Sequence, residues 1–187
     1  RYRHVTGVQT CALPISPSDS FWCCVGTGIE NHAKYGDSIY FHDDDGLYVN
    51  LFIASDLFWR DKKLKLRQET WYPEQDTSTL TFTCEEPVEL ALRIRYPSWA
   101  QKGIEIKVNG ETRAITAQPG SYVEIRRAWK SDDRVEIKIP MTLRLEAMPD
   151  NPNRVAILYG PLVLAGDLGK EDNPEAESPH YTPVFIT

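Results

Sequence analysis

From Val88 to Tyr96 the side chains alternate, with Val88, Leu90, Leu92, Ile94 and Tyr96 on one phase and Glu89, Arg93 and Arg95 on the other. A period of 2 lets a strand bury one face and wet the other, whereas a helix built from it has no apolar stripe. Further strand-like runs occupy Leu47 to Ile53, the first half of Lys63 to Trp71, Thr79 to Thr83, and Ile104 to Val108. Tyr122 to Ile125, Arg134 to Ile139, Thr142 to Leu145 and Arg154 to Leu164 complete the set. His42 to Gly46 reads as a turn, and Asn109-Gly110 is a two-residue hairpin signal. Roughly nine or ten short strands, with turns about every 10 residues, predict a mainly β chain folded as an antiparallel β-sandwich over residues 41–148. About 100 residues suffice for one such core.

Composition narrows the function classes. The 13 prolines, 11 glycines and an aromatic set of 5 Trp, 9 Tyr and 6 Phe suit strands and turns better than a helical bundle. Lys+Arg total 21 against 27 for Asp+Glu, a net charge of −6, which argues against nucleic acid or an anionic membrane surface as partner. No apolar run approaches the ~20 residues that span a bilayer. Four cysteines in 187 residues are too few for a disulfide scaffold.

The two ends differ from the middle. Residues 1–16 show neither period and resemble translated sequencing adapter, so they are expected to be an unstructured artefact, Cys11 included. A targeting peptide would need an apolar stretch and a small-residue cleavage site, which this segment lacks. The expectation that follows is a chain beginning inside a longer protein, with any signal peptide upstream. Glu30 to Lys34 reads as a short helix opening near Gly26 and Gly28 and weakened by Gly36. Residues 149–187 read as a closing strand or the start of a further β domain, followed by a polar tail.

Cys23-Cys24 is the foremost candidate for chemistry. Neighbouring cysteines bond each other only with strain, but two adjacent thiolates can share one soft metal, and zinc takes sulfur and nitrogen ligands in a tetrahedron. The pair supplies half of such a site, and two buried packing cysteines remain the alternative. Glu30 and His32, two apart on a helix, point to different faces. Asp43 to Asp45 lacks the alternation and the terminal Glu of a calcium loop and is expected to be a hairpin turn. Cys84 reads as a buried thiol. Trp22, Trp59, Trp71, Trp99 and Trp129 are spread along the chain, so core packing is expected for most, with a sugar-stacking platform as the alternative.

The segment from Ser20 to Gly36, carrying Phe21-Trp22-Cys23-Cys24-Val25-Gly26-Thr27-Gly28, resembles the cysteine-pair segment of bacterial β-L-arabinofuranosidases of glycoside hydrolase family 127 and the related family 146. The likeness continues at Leu47 to Ile53, Arg95 to Ala100, Trp129 to Leu145 and Arg154 to Val163. It implies that residues 17–40 end a catalytic (α/α)6 barrel and that the sandwich packs on that barrel. It further implies a zinc-dependent retaining glycosidase for arabinofuranose-containing glycans. In that pattern Cys23 is the nucleophile, and Cys24 holds the zinc beside it, so both thiols lie at the metal. The acid/base Glu and two further zinc ligands, a Glu and a Cys, precede the pair in the family and have no counterpart in this chain. The chain alone is therefore expected to be inactive. The plant-glycan substrates of the family imply a periplasmic or extracellular location. The alternative is a non-catalytic β-sandwich for carbohydrate binding or domain packing.

Overall fold

The computed structural model describes residues 30–165. These divide into two compact units, one running to Pro140 and one from Met141. Residues 30–33 are helical, and a second short turn, α1 (Tyr35–Ser38), follows. After it the regular structure of the first unit is β, apart from a 3-10 turn at Arg60–Lys62.

Two sheets make the first unit. One joins β1 (Tyr40–His42), β2 (Gly46–Val49), β6 (Val88–Tyr96) and β9 (Ser121–Trp129) in the order β1-β2-β6-β9. The other holds β3 (Ser55–Trp59), β4 (Leu64–Thr70), β5 (Thr77–Cys84), β10 (Arg134–Lys138), β7 (Glu105–Val108) and β8 (Glu111–Thr112), in the order β3-β4-β5-β10-β7-β8. Their apolar phases meet in one core. Leu47, Val49, Leu90, Leu92 and Ile94 come from the first sheet, and Leu66, Leu80, Phe82, Ile106 and Ile137 from the second. Trp129 is fully buried and stacks on Phe82 across the two sheets, with ring centroids 4.3 Å apart. Its indole N–H donates to the Leu90 carbonyl at 3.2 Å, so the buried ring carries no unpaired polar atom. The expected β-sandwich is thus present.

Several details depart from expectation. The pairing is antiparallel throughout except for β2 with β6, which run parallel with Leu47 opposite Leu92. The run expected from Leu47 to Ile53 stops as a strand at Val49, because the Asn50 and Leu51 N–H groups turn to the Ile39 carbonyl (2.9 and 3.2 Å). The chain then crosses to the other sheet and forms β3, a strand outside the runs that alternation predicts. The Asn109-Gly110 hairpin is as expected. Both residues have positive φ (52° and 84°) and join β7 to β8 through a two-residue loop.

The second unit, described by itself, is a three-stranded antiparallel sheet of β11 (Leu143–Met148), β12 (Asn151–Tyr159) and β13 (Leu162–Val163). The single strand expected from Arg154 to Leu164 is broken by a turn at Gly160-Pro161. Leu143 opposes Tyr159 and Leu145 opposes Ile157, so one face of this sheet is apolar. Leu143, Leu145, Val155, Tyr159 and Leu162 on it are exposed.

Candidate functional site

Cys23, Cys24 and Trp22 lie outside the described residues. The chain between them and the sandwich is described from residue 30 onward. Glu30 and His32 are exposed on the helical turn 30–33, and the His32 ring meets Tyr35 edge-on at 5.4 Å. Beyond α1, Ile39 is buried. Asn50 holds this entry from two sides, donating its Nδ2 to the Ser38 carbonyl (2.9 Å) and accepting the Tyr122 hydroxyl at Oδ1 (3.0 Å). The Tyr40 and Ser55 hydroxyls share a hydrogen bond of 3.0 Å, and burial raises the Tyr40 pKa. From Ser38 onward the chain is therefore held against the sandwich.

A charged network braces the first strand pair. Arg93, on the outward phase of β6, donates Nη1 to Asp43 (2.8 Å), Nη2 to Asp45 (3.1 Å) and Nε to Glu124 (2.8 Å). Arg126 also pairs with Asp45. The Tyr48 hydroxyl donates to Asp43 at 2.8 Å, and this bond, aided by the Arg93 charge, holds the Asp43 carboxyl well below its usual range. These carboxylates are spent on arginines. The run Asp43 to Asp45 is the turn of the β1–β2 hairpin, as expected, with the Asp43 N–H bonded to the Gly46 carbonyl. Among the described residues no group of three or more His, Cys, Asp or Glu is placed to hold a metal.

The other sequence candidates resolve into packing, with one exception. Cys84 is half-buried, its thiol 3.6 Å from the Trp129 carbonyl. Trp59 and Trp99 pack against the core, and Trp129 is inside it. Trp71 is 70% exposed. It rims an open hollow of about 380 Å³ that Ser55, Asp56, Arg67 and Glu69 also line. In that hollow Arg67 grips Asp56 with Nε and Nη2 (2.9 and 3.1 Å), and this pairing lowers the Asp56 pKa and raises that of Arg67. The role of Arg93 is not visible in its own strand's pattern. Arg93 had one legible signal, a cation at the centre of a strand whose neighbour in space begins with an acidic turn.

Comparison with known proteins places this geometry. Residues 46–141 match the model of the family described as beta-L-arabinofuranosidase, GH127 middle domain. Among solved structures, a GH127 β-L-arabinofuranosidase from Geobacillus stearothermophilus T6 is 32% identical, with a TM-score of 0.66, over 75% of this chain and 23% of that one. A structure described as a glycoside hydrolase is 28% identical with a TM-score of 0.69, covering 81% of this chain and 27% of that one. A GH127 β-arabinofuranosidase is likewise 28% identical with a TM-score of 0.59, over 67% of this chain and 23% of that one. This chain spans about a quarter of the length of each. No curated protein matches significantly. With its middle-domain segment matched over half the chain and its sandwich shared with solved members, the chain belongs to glycoside hydrolase family 127.

Proposed function

We propose that this chain is part of a zinc-dependent retaining glycosidase of β-L-arabinofuranosides, with Cys23 as the nucleophile and Cys24 as a zinc ligand beside it. The observation that carries the reading is membership of family 127, together with the cysteine pair standing just ahead of the matched segment. The donor chemistry fits: two adjacent thiolates are half of a tetrahedral zinc set, and zinc, when bound, keeps both sulfurs deprotonated at neutral pH.

In this reading the Cys23 thiolate attacks the anomeric carbon, and the bond to the leaving oxygen breaks. That oxygen takes a proton from a general acid on the other face of the sugar. Water then displaces the sulfur, returns a proton to the same group, and releases the sugar with its configuration retained. The acid and the remaining ligands belong to positions that precede the pair in the family pattern, so residues 17–187 alone do not turn over substrate. The role of the sandwich is to hold the chain that follows the cysteines, through Ile39, Asn50 and Tyr40. The glycan substrate puts the enzyme in the periplasm or outside the cell.

The test is zinc content and turnover of a chromogenic β-L-arabinofuranoside by the enzyme containing this chain. The wild type holds about one zinc per active site, and Cys24→Ser loses both metal and activity. Full turnover after chelation of all metal contradicts the proposal.

A further inference from the structure

Trp71 stands one residue beyond β4, and its backbone is fixed rather than loose. Its carbonyl accepts the Glu74 and Gln75 N–H groups (2.7 and 3.1 Å). Thr70 Oγ1 accepts the Tyr72 N–H (3.0 Å) and donates to the Thr77 carbonyl (2.9 Å). Tyr72 packs on Phe52 with ring centroids 5.7 Å apart, pinning the loop to the core. An indole carried on a fixed backbone and held out in water is a large apolar face left unused by these residues.

The neighbours of this ring are charged. Asp56 and Arg67 lie as a bidentate planar pair, while Arg67 Nη1 and the Glu69 carboxylate have no partner among the described residues. The core of a protein interface is depleted in charge and wants contiguous apolar area, which one ring amid three charged side chains does not offer. A sugar presents the complementary surface: a face of C–H groups for the electron-rich ring and a rim of hydroxyls for planar carboxylate and guanidinium groups. The hollow is shallow and open, a shape that suits one sugar ring lying flat on the indole rather than an enclosed ligand. It also sits beside the start of the sandwich at β1, since Ser55 both lines it and bonds Tyr40.

We propose that the hollow at Trp71 is a sugar-binding subsite that holds a glycosyl unit of the arabinofuranose-containing glycan, with Trp71 as the stacking platform and Arg67 and Glu69 as hydroxyl partners. This rests on the glycosidase reading for the identity of the sugar. The experiment uses the enzyme containing this chain and compares wild type, Trp71→Ala and Trp71→Phe. Binding of an L-arabinofuranosyl trisaccharide is measured by calorimetry in a Cys23→Ala background. Turnover of that trisaccharide and of a chromogenic monosaccharide is measured with Cys23 intact.

Trp71→Ala weakens trisaccharide binding about 3- to 10-fold and raises its KM to match, and Trp71→Phe recovers part of the loss. The thermal midpoint and monosaccharide turnover stay unchanged. Unaltered trisaccharide affinity overturns the proposal. A lowered thermal midpoint with equal losses on both substrates also overturns it, since the ring then packs on protein. Binding through Trp71 without hydrolysis by the wild type keeps the subsite and removes the glycosidase reading; hydrolysis indifferent to Trp71 does the reverse.

Discussion

Asp133 shows how burial turns an ordinary turn residue into a structural one. Its carboxylate is buried, accepts the Asn109 amide (2.7 Å) and the Lys130 N–H (2.8 Å), and faces Arg127 at 3.3 Å. Asn109 in turn accepts the Arg134 N–H at 2.8 Å, so one carboxylate fastens two turns. Burial alone would raise the Asp133 pKa, but these donors and the Arg127 charge outweigh it and the net shift is downward. The Asp43 and Asp56 carboxyls are lowered too, chiefly by the Tyr48 hydroxyl and by Arg67. An unfolded aspartate titrates near ~3.9, so at acid pH the unfolded chain binds more protons than the folded one. The stability these groups add is present above about pH 4 and is lost as pH falls through their lowered folded values. Denaturant midpoints are therefore expected to drop between about pH 5 and 3. Asp133→Ala is expected to lose about 1–3 kcal/mol at pH 7, by leaving buried donors unpaired, and to flatten that pH dependence. Urea titrations at both pH values check this. Nothing in sequence separates Asp133 from its neighbour Asp132; only the fold does.

Strands were legible in proportion to their length and to how cleanly they divide inside from outside. β6, with one phase in the core and arginines on the other, has the bounds its alternation predicted. β1 is three residues between a helix and an acidic turn, too short for any period. β3 hides for a different reason: Phe58, on its outward phase, is apolar yet exposed, lying under the Lys65 ammonium, so apolar Leu57, Phe58 and Trp59 read as a run without alternation. The crossing at residues 50–54 depends on Gln68, which is buried and donates to both the Leu51 and Ile53 carbonyls (3.0 and 2.7 Å). Gln68→Leu keeps the volume but leaves the Leu51 carbonyl and the buried Ser78 hydroxyl without their partner, while the Ile53 carbonyl keeps the Ser55 hydroxyl at 2.8 Å; the expected loss is about 1–3 kcal/mol by equilibrium unfolding. Gly46, where β2 meets β6, is needed for space rather than for backbone freedom. A Cβ there would lie 2.7 Å from the Ala91 carbonyl and 2.5 Å from Arg93 Nη1. Gly46→Ala is expected to cost about 1–3 kcal/mol and to speed amide exchange in the parallel pair, as hydrogen-exchange mass spectrometry would register.

For the molecule as a whole, periodicity gave the sandwich, and the cysteine-pair segment gave the family through resemblance. Composition gave neither the substrate nor the ligand set, because chemistry of this kind is assembled from residues far apart in sequence, and the chain spans about a quarter of its solved relatives. The Trp71 hollow was legible only as one tryptophan among five; its exposure and its charged neighbours appear once β3 and β4 pair. The central claim is sulfur attack by Cys23 on the anomeric carbon. Its most direct measurement is peptide mass spectrometry of the enzyme containing this chain, acid-quenched during turnover of a β-L-arabinofuranoside with a fast leaving group. The account predicts a mass increase of one anhydropentosyl group, located by fragmentation on Cys23. Adduct on a carboxylate or on any other residue would contradict it, as would undiminished turnover by Cys23→Ala.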